Sequence, residues 1–312
     1  MIRKIIIDTD PGQDDAVALL LALASPEELD VLAITAVAGN VPLPLTTVNA
    51  LKMVELAGRT EVPVYAGCDR PLMRPLITAE YVHGRTGLDG AELPDPVSAL
   101  GSGHAVDRII ELVLEHDPGS ITLCPLGPLT NVATALERAP EIAARIGEIV
   151  LMGGGFFEGG NTTPAAEFNV YVDPQAADIV FRSGIAITVM PLDVTHRALI
   201  LPRHLARFAT MGTAVGTAVH GLLAFYERYD VEKYGMEGGP LHDPCVIAYL
   251  LQPDLFTGKQ VNVTVETESE LTMGMTVADW WGMSRRPKNA RWIRTVDAQG
   301  FFDLLVERLS RL

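Results

Sequence analysis

The stretch IIIDTDPGQDD, residues 5–15, places three isoleucines directly before four aspartates that fall within eight positions. A run of β-branched apolar residues bounded by a Pro-Gly pair predicts a buried strand that ends in a turn. Residues 14–24 are rich in Ala and Leu and predict a helix directly after that turn. A strand that passes through a tight turn into a helix indicates an α/β fold.

The rest of the chain repeats this alternation of apolar strands and helices. Near-continuous apolar strands separated by helices are typical of a parallel sheet that is covered on both faces. We predict a single Rossmann-like α/β domain over residues 1–312, with a central, mostly parallel sheet, a mainly helical insertion near 204–243 that breaks at 235–240, and an antiparallel strand at 260–268. The other predicted strands are 4–8, 31–39, 62–67, 120–127, 148–154 and 186–193, and the other helices are 46–57, 106–115, 129–138 and 174–182.

Composition and charge narrow the possible partners. The 312 residues include 24 Lys and Arg against 39 Asp and Glu, which gives a net charge of −15. Such a chain repels phosphate backbones and anionic lipids, so we expect no nucleic-acid or membrane partner. Three cysteines in no metal-type spacing, together with the absence of a signal-peptide pattern after Met1, indicate reduced thiols and a cytoplasmic protein.

Polar residues follow most of the predicted strands. In open parallel sheets, ligands bind beyond the carboxyl ends of the strands, so we expect these residues to converge at one edge. They are Asp8, Asp10, Asp14, Asp15, Asn40, Thr130, Asn131, Asn161, Glu167, Asn169 and Asp193, and the aromatic residue Phe168 lies among them.

The four aspartates of the first motif have two explanations. Asp14 and Asp15 lie where carboxylates cap a helix and favour the positive end of its dipole. Capping does not account for all four, because neighbouring carboxylates raise each other's pKa unless a cation keeps them ionised. We therefore predict a hard divalent cation, Ca²⁺ or Mg²⁺, onto which the Pro-Gly turn folds Asp10 and Asp15.

Two histidines lie in loops rich in glycine and proline. His242 precedes Asp243, a candidate distal metal ligand, and His83 lies in the segment VHGRTGLDG. Each histidine is a candidate acid or base, although a histidine in a loop is more often a solvated or locally bonded side chain than a catalyst. The chain has no phosphate-binding P-loop, no G-x-G-x-x-G after the first strand and no G-x-S-x-G nucleophile elbow.

Taken together, these motifs resemble the inosine–uridine-preferring nucleoside hydrolases. Residues 8–16, DTDPGQDDA, are similar to the D-T-D-x-G-x-D-D-A signature of that family. The resemblance covers most of the chain and continues in order through Gly39-Asn40, His83-Gly84, Gly127-Pro128-Leu129-Thr130-Asn131, Met152-Gly153-Gly154, Glu167-Phe168-Asn169 and His242-Asp243-Pro244. It implies hydrolysis of the N-glycosidic bond of ribonucleosides to free base and ribose, in a homodimer or homotetramer.

The resemblance also implies a role for each matching residue. One Ca²⁺ would be bound by Asp10, Asp15, Asp243 and the backbone carbonyl of Leu126, a position where many relatives have Thr. Asp10 would activate a Ca²⁺-bound water, and His242 and His83 would lie beside the base, with His242 as the acid. The ribose would contact Asp14, Asn40, Met152, Asn161, Glu167, Phe168 and Asn169.

The resemblance indicates the preferred nucleobase less directly than it indicates the metal and ribose contacts. Relatives with histidine at both positions lean toward pyrimidine nucleosides or a broad range, which makes uridine, cytidine and inosine the expected substrates. Candidate base contacts are Phe225, Tyr226, Tyr229 and Tyr234. Helical spacing allows Phe225 and Tyr229 to belong to the core instead.

Two other functions also place carboxylates after a first strand. A phosphatase of the haloacid dehalogenase type uses an apolar strand followed by D-x-D, with Mg²⁺ and an aspartyl nucleophile, and Asp8 and Asp10 fit that pattern. It also needs a Lys after a later core strand, which this chain lacks. A non-catalytic nucleoside binder is the other alternative, although a binder has no need of a metal that activates water.

Overall fold

The computed structural model describes residues 2–312, except for the side chain of Tyr234. Within that range, eight strands form one sheet and two more form a small antiparallel sheet. The strands are β1 (Arg3–Thr9), β2 (Leu29–Ala36), β3 (Val64–Ala66), β4 (Ile121–Pro125), β5 (Ile146–Met152), β6 (Ile187–Met190), β7 (Phe256–Val261), β8 (Val263–Val265), β9 (Thr276–Ala278) and β10 (Ala290–Val296).

The large sheet has the strand order β3-β2-β1-β4-β5-β6-β10-β7. Every neighbouring pair is parallel except β10 and β7, which run antiparallel at one edge. The prediction of a central, mostly parallel sheet is confirmed. The strand expected at 260–268 is correct only in part, because the chain leaves the large sheet after Val261 and forms β8, which pairs with β9.

Helices pack on both faces of the large sheet. The longest, α10, corresponds to the helical insertion that the sequence predicts, and the chain after it is non-helical up to Asp243. The helices are α1 (Gln13–Leu23), α2 (Leu43–Leu56), α3 (Glu80–His83), α4 (Ala105–Glu115), α5 (Thr130–Arg138), α6 (Phe168–Val172), α7 (Pro174–Phe181), α8 (Leu192–Thr195), α9 (Pro202–Ala209), α10 (Ala214–Tyr234), α11 (Pro244–Leu251) and α12 (Ala298–Leu309), with 3₁₀ turns at Pro140–Ala144 and Pro253–Leu255.

The apolar pattern of β1 explains why helices cover both faces. Ile5 and Ile7 pack into a cluster that includes residues of α1, α2, α10, α11 and α12, whereas Ile6 packs on the other side with α4, α5 and α7. Successive side chains of a strand point to opposite faces, so a strand buried on both sides needs an uninterrupted apolar run. No helix in the described part of the chain is long and apolar enough to cross a membrane.

The carboxyl ends of the central strands create the site. β1, β2, β4 and β5 run in the same direction, and the chain leaves each of them at the same edge of the sheet. The turn from β1 to α1 lies at the middle of that edge, next to the loops that follow β2 and β4. The non-helical segment before α11 also reaches this region, because Asp243 interacts electrostatically with Asp14 and Asp15.

Candidate active site

The turn between β1 and α1 is organised around Asp15. Its Oδ2 accepts hydrogen bonds from the backbone N–H of Gly12 at 3.0 Å and from Nδ2 of Asn40 at 3.1 Å. Its Oδ1 accepts one from the hydroxyl of Thr9 at 2.5 Å. Asp15 is fully buried, so these bonds compensate for the water that the carboxylate has lost.

Asp10 lies in a cradle made by two glycines. Its Oδ2 accepts the backbone N–H of Asn40 at 2.7 Å, while its buried Oδ1 has no hydrogen-bond partner among the described residues. A Cβ at Gly39 would lie 2.0 Å from Oδ2, and one at Gly127 would lie 2.2 Å from Oδ1. The two glycines therefore allow the backbone to approach the carboxylate closely, and they leave one buried oxygen available to a ligand.

Three carboxylates converge beside this aspartate. Asp14, Asp15 and Asp243 each offer an oxygen, and the three oxygens lie within 4.8 Å of one another. Burial, followed by the charge of Asp15, raises the pKa of Asp14 to about 8, and burial also raises the pKa of Asp243 and of Asp10 well above their usual range. A buried group of acids that resists ionisation in this way fits a hard divalent cation, whose charge would hold all of them ionised.

This cluster differs in one member from the predicted set of ligands. Asp15 and Asp243 are brought together as expected, but the third carboxylate within 4.8 Å is Asp14, which the resemblance implies as a ribose contact. Asp10 lies close enough to interact electrostatically with Asp14 and Asp15. The predicted carbonyl ligand, that of Leu126, accepts a hydrogen bond from Nδ2 of Asn169 at 2.6 Å.

Glu167 is held by the start of α6. Its Oε1 accepts the backbone N–H of Asn169 at 2.9 Å, and its Oε2 accepts those of Gly154 and Val170 at 2.9 and 3.2 Å. Burial raises its pKa. Asn161 accepts the backbone N–H of Phe168 at 3.0 Å, so one backbone segment positions several of the predicted ribose contacts.

The protonation of the ring of His83 follows from its partner, Gln13. The amide nitrogen of Gln13 donates to the carbonyls of His83 and Asp89 at 2.9 and 3.0 Å, which turns its oxygen toward Nδ1 of His83 at 2.7 Å. An amide oxygen only accepts, so Nδ1 carries the proton and Nε2 of the neutral ring is an acceptor. Burial lowers the pKa of His83 to about 3, which keeps the ring neutral.

His242 is anchored by a different group. Its Nδ1 lies 2.7 Å from the hydroxyl of Thr195, and the ring of His196 is tilted against it with a centroid distance of 5.8 Å. Burial, followed by the charges of His196 and His83, lowers the pKa of His242 well below its usual range. A hydroxyl both donates and accepts, so Thr195 permits a proton on Nε2 of His242.

One cavity collects most of these side chains, although Asp10 and Asp15 are not among the residues that line it. It is open to solvent, and carboxylates, amides and aromatic rings converge on it, as is typical of small-molecule sites. Aromatic pairs form part of its wall, with Tyr81 against Tyr229 at 5.4 Å and His83 stacked on Tyr226 at 5.7 Å. The predicted residues that line it are Asp14, Asn40, His83, Leu126, Met152, Asn161, Glu167, Phe168, Asn169, Tyr226, Tyr229, His242 and Asp243.

Some polar residues expected at this edge serve the fold instead. Asp8 accepts the Thr35 hydroxyl at 2.6 Å and Nδ2 of Asn131 at 2.8 Å. Asp193 accepts Nε1 of Trp292 at 2.7 Å and three backbone N–H groups of residues 156–158. These residues follow strands as expected, but they do not line the cavity, and neither does Thr130, which donates to Asp173 at 2.7 Å.

The structure also identifies residues that the sequence did not. Gln13 and Thr195 orient the two histidines, and Tyr81 and Asp230 line the cavity. The candidate base contact Phe225 lies outside the cavity, where the guanidinium of Arg228 covers its ring at 3.9 Å. The side chain of Tyr234 lies outside the described part of the chain.

Comparison with known proteins agrees with this geometry. The family model described as "Inosine-uridine preferring nucleoside hydrolase" matches residues 5–303. An uncharacterised protein of Schizosaccharomyces pombe is 53% identical over 309 residues, 99% of each chain. The pyrimidine-specific ribonucleoside hydrolase RihA of Photobacterium profundum is 49% identical over 311 residues, again 99% of each chain. The solved structure of a purine-preferring ribonucleoside hydrolase from Gardnerella vaginalis superposes with a TM-score of 0.92 at 34% identity, covering 99% of this chain and 98% of that one.

Proposed function

The chain belongs to the inosine-uridine preferring nucleoside hydrolase family, and from this premise we propose that it cleaves pyrimidine ribonucleosides with the aid of Ca²⁺. The enzyme is an N-ribohydrolase, which releases a free base and ribose. The comparisons do not support the phosphatase alternative, and they rule against a binder without catalytic activity. The observation that carries the proposal is the buried carboxylate cluster, which opens into the same cavity as two neutral, buried histidines.

The donor set supports Ca²⁺ as the metal. All of the candidate ligand atoms are oxygens, which is the preference of hard cations, and Ca²⁺ accepts the irregular arrangements that loops provide. Asp10, Asp15, Asp243 and the carbonyl of Leu126 are the proposed ligands, and the position of Asp14 makes it a further candidate. When bound, the cation would supply positive charge and Lewis acidity that favour ionisation of a water and hold the ribose diol.

Asp10 is the proposed general base. Its Oδ1 is buried and without a hydrogen-bond partner among the described residues, so it is available to take a proton from the attacking water. The Asn40 N–H holds the other oxygen and thereby fixes the orientation of the carboxylate. The cradle of Gly39 and Gly127 leaves the side chain little freedom to rotate.

The ribose is proposed to bind between α1 and α6. As the N-glycosidic bond breaks, positive charge develops on the sugar ring, as in other glycosidases. The carboxylates of Asp14 and Glu167 and the amides of Asn161 and Asn169 line that part of the cavity, where they would bind hydroxyls and stabilise this charge electrostatically. The backbone N–H bonds that hold Glu167 are already formed, so no reorganisation is needed during the reaction.

The departing base takes the electron pair of the broken bond and needs a proton or a hydrogen-bond donor. His242 is the proposed donor, through Nε2, with Thr195 bonded to Nδ1. His83 would present an acceptor nitrogen to the base, because Gln13 holds its proton on Nδ1. The 49% identity to a pyrimidine-specific relative supports pyrimidine nucleosides as the preferred substrates.

The test is ribose release from uridine, cytidine, inosine and adenosine, each with chelator alone, with Ca²⁺ and with Mg²⁺. We expect release that requires Ca²⁺ and is faster from uridine and cytidine than from the purine nucleosides. Equal rates in chelator and in Ca²⁺ would refute the metal assignment. Faster release from inosine or adenosine would refute the pyrimidine preference. A phosphate monoester is the control substrate and should not be hydrolysed.

Two architectural proposals accompany this function. We propose that residues 1–312 form one domain, which predicts a single cooperative unfolding transition. We also propose that the enzyme is a dimer or a tetramer, as its family resemblance implies. Light scattering coupled to size-exclusion chromatography measures the number of copies, and a monomer at micromolar concentration would contradict the second proposal.

A further inference from the structure

Helix α10 presents two polar side chains to the cavity, one turn apart. Tyr226 lies at the carboxylate end, with its hydroxyl 3.5 Å from Oδ2 of Asp14. Asp230 follows four residues later and lines the same cavity. Residues four apart share one face of a helix and are separated by about 6 Å along its axis. Asp230 therefore lies farther along the cavity wall than Tyr226.

This position would lie at the base end of a bound ribonucleoside. In the proposed function, the ribose hydroxyls bind at Asp14 and Glu167, so the base must extend toward the remaining wall of the cavity. That wall contains the Tyr81–Tyr229 pair and His83 stacked on Tyr226, and Asp230 is the carboxylate adjacent to it along α10. Asp230 belongs to none of the sequence motifs, and nothing in the proposed mechanism requires it.

We propose that Asp230 is a specificity-determining residue, which accepts a hydrogen bond from an exocyclic amino group of the base and so favours cytidine over uridine. The inference rests on the proposed function, because it assumes that a ribonucleoside occupies the cavity. An ionised carboxylate only accepts hydrogen bonds. Cytosine offers an amino group at its 4-position, whereas uracil offers a carbonyl oxygen there, which a carboxylate repels.

The surroundings of Asp230 suit this role. The side chain is half-buried, and a partly desolvated carboxylate forms stronger hydrogen bonds than one in water. Burial raises its pKa to about 6, with Lys233 acting in the opposite direction, so the carboxylate is ionised at neutral pH. The Lys233 ammonium lies over the ring of Tyr229 at 4.6 Å, which supports the aromatic part of the wall.

The end of α10 does not depend on this side chain. Gly235, with a φ of +65°, closes the helix, and its N–H bonds to the backbone carbonyls of Asp230 and Val231. The carboxylate takes no part in that cap, so replacing it with an amide leaves the helix terminus intact. Asp230→Asn keeps the size of the side chain and removes its charge, which makes it the informative substitution.

The experiment compares kcat/KM for cytidine, for uridine and for the ribonucleoside of pyrimidin-2-one, which has hydrogen at the 4-position. The wild-type enzyme should favour cytidine over both of the others. Asp230→Asn and Asp230→Ala should lower the ratio of cytidine to uridine by about tenfold or more, which is the expected scale for loss of a hydrogen bond to a charged group. Glu232→Gln is the matched control, because it removes an exposed carboxylate from the same helix and should leave the ratio unchanged.

The outcomes separate the inference from the proposed function. An unchanged ratio in Asp230→Asn would overturn the role of Asp230 and leave nucleoside hydrolysis standing. An equal loss on both nucleosides, however large, would also overturn it, because it would show a general structural role. A loss confined to uridine would overturn it as well, because it would show a contact with the N3–H group of uracil, which cytosine lacks. Absence of hydrolysis of any nucleoside by the wild-type enzyme would refute the proposed function and with it this inference.

Discussion

Removal of divalent cations should leave a protein that becomes less stable as the pH rises from 7 to 8. The perturbation is a chelator, and the groups that respond are the buried carboxylates Asp10, Asp14 and Asp243, whose pKa values are all raised by burial. Between pH 7 and 8 their native forms hold protons that the unfolded chain, with an aspartate pKa near 3.8, has already released. Because the native state then binds more protons, the free energy of unfolding falls as the pH rises.

The magnitude follows from Asp14, whose pKa is raised from 3.8 to about 8. A difference of one bound proton changes the free energy of unfolding by about 1.4 kcal/mol per pH unit. Asp14 is mostly protonated across this interval, so it contributes about 1 kcal/mol, and Asp10 and Asp243 act in the same direction. With about 2 cal/mol/K of unfolding entropy per residue, 1 kcal/mol corresponds to roughly 1.5 °C in Tm for 312 residues.

The pH interval keeps the opposite effect of the buried histidines small. The lowered pKa values of His83 and His242 destabilise the native state only where unfolded histidine takes up protons, which is near and below pH 6.5. Saturating Ca²⁺ should keep the carboxylates ionised and flatten the dependence of Tm on pH. Ca²⁺ at a hundredfold excess over its Kd should also stabilise the protein by about 2.7 kcal/mol.

Differential scanning calorimetry at pH 7.0, 7.5 and 8.0 measures the effect, in chelator and in Ca²⁺. The expected result is a Tm that falls with pH in chelator and a rise on adding Ca²⁺ that is larger at pH 8 than at pH 7. Asp14→Asn is the informative variant, because it should reduce the dependence in chelator by the share that Asp14 contributes, while Asp10 and Asp243 retain theirs. A wild-type Tm that stays constant or increases from pH 7 to 8 in chelator would refute the argument that the cluster resists ionisation.

Three substitutions test other parts of the site and its support. Asp10→Asn should lower kcat for uridine by about 10²- to 10⁴-fold with an unchanged circular dichroism spectrum, as expected for loss of a general base, and near wild-type turnover would contradict that role. Gly127→Ala should also reduce turnover by at least about tenfold, because the added Cβ would lie 2.2 Å from Oδ1 of Asp10 and displace the carboxylate. Wild-type rates would show that the backbone shifts to make room for the Cβ without displacing Asp10. Asp193→Asn should lower the free energy of unfolding by about 2 kcal/mol in urea titrations, because it weakens the charge-assisted bonds to Trp292 and to residues 156–158, and an unchanged urea midpoint would rule out that structural role.

Much of the site was predictable because its residues occupy short segments at strand ends. The first motif places Asp10, Asp14 and Asp15 on one turn, and that turn follows from a β-branched run, a Pro-Gly pair and a helix-forming segment, all of them local signals. Residues that orient others were missed, because their partners are far away in sequence. Gln13 contacts His83 across 70 positions, and Thr195 contacts His242 across 47.

The sequence by itself determined the alternation of strands and helices, because periodicity and turn chemistry act over a few residues. For the same reason it placed Asp10, Asp14 and Asp15 directly after the first strand. Only the tertiary structure decided which polar residues share the cavity. Asp8 and Asp10 are two positions apart, yet Asp8 bonds to Thr35 and Asn131 while Asp10 lies beside the cluster of Asp14, Asp15 and Asp243. Local patterns could not predict the strand order either. Strand β10 lies between β6 and β7, and its backbone hydrogen bonds join segments that are about 30 to 100 residues apart in the sequence.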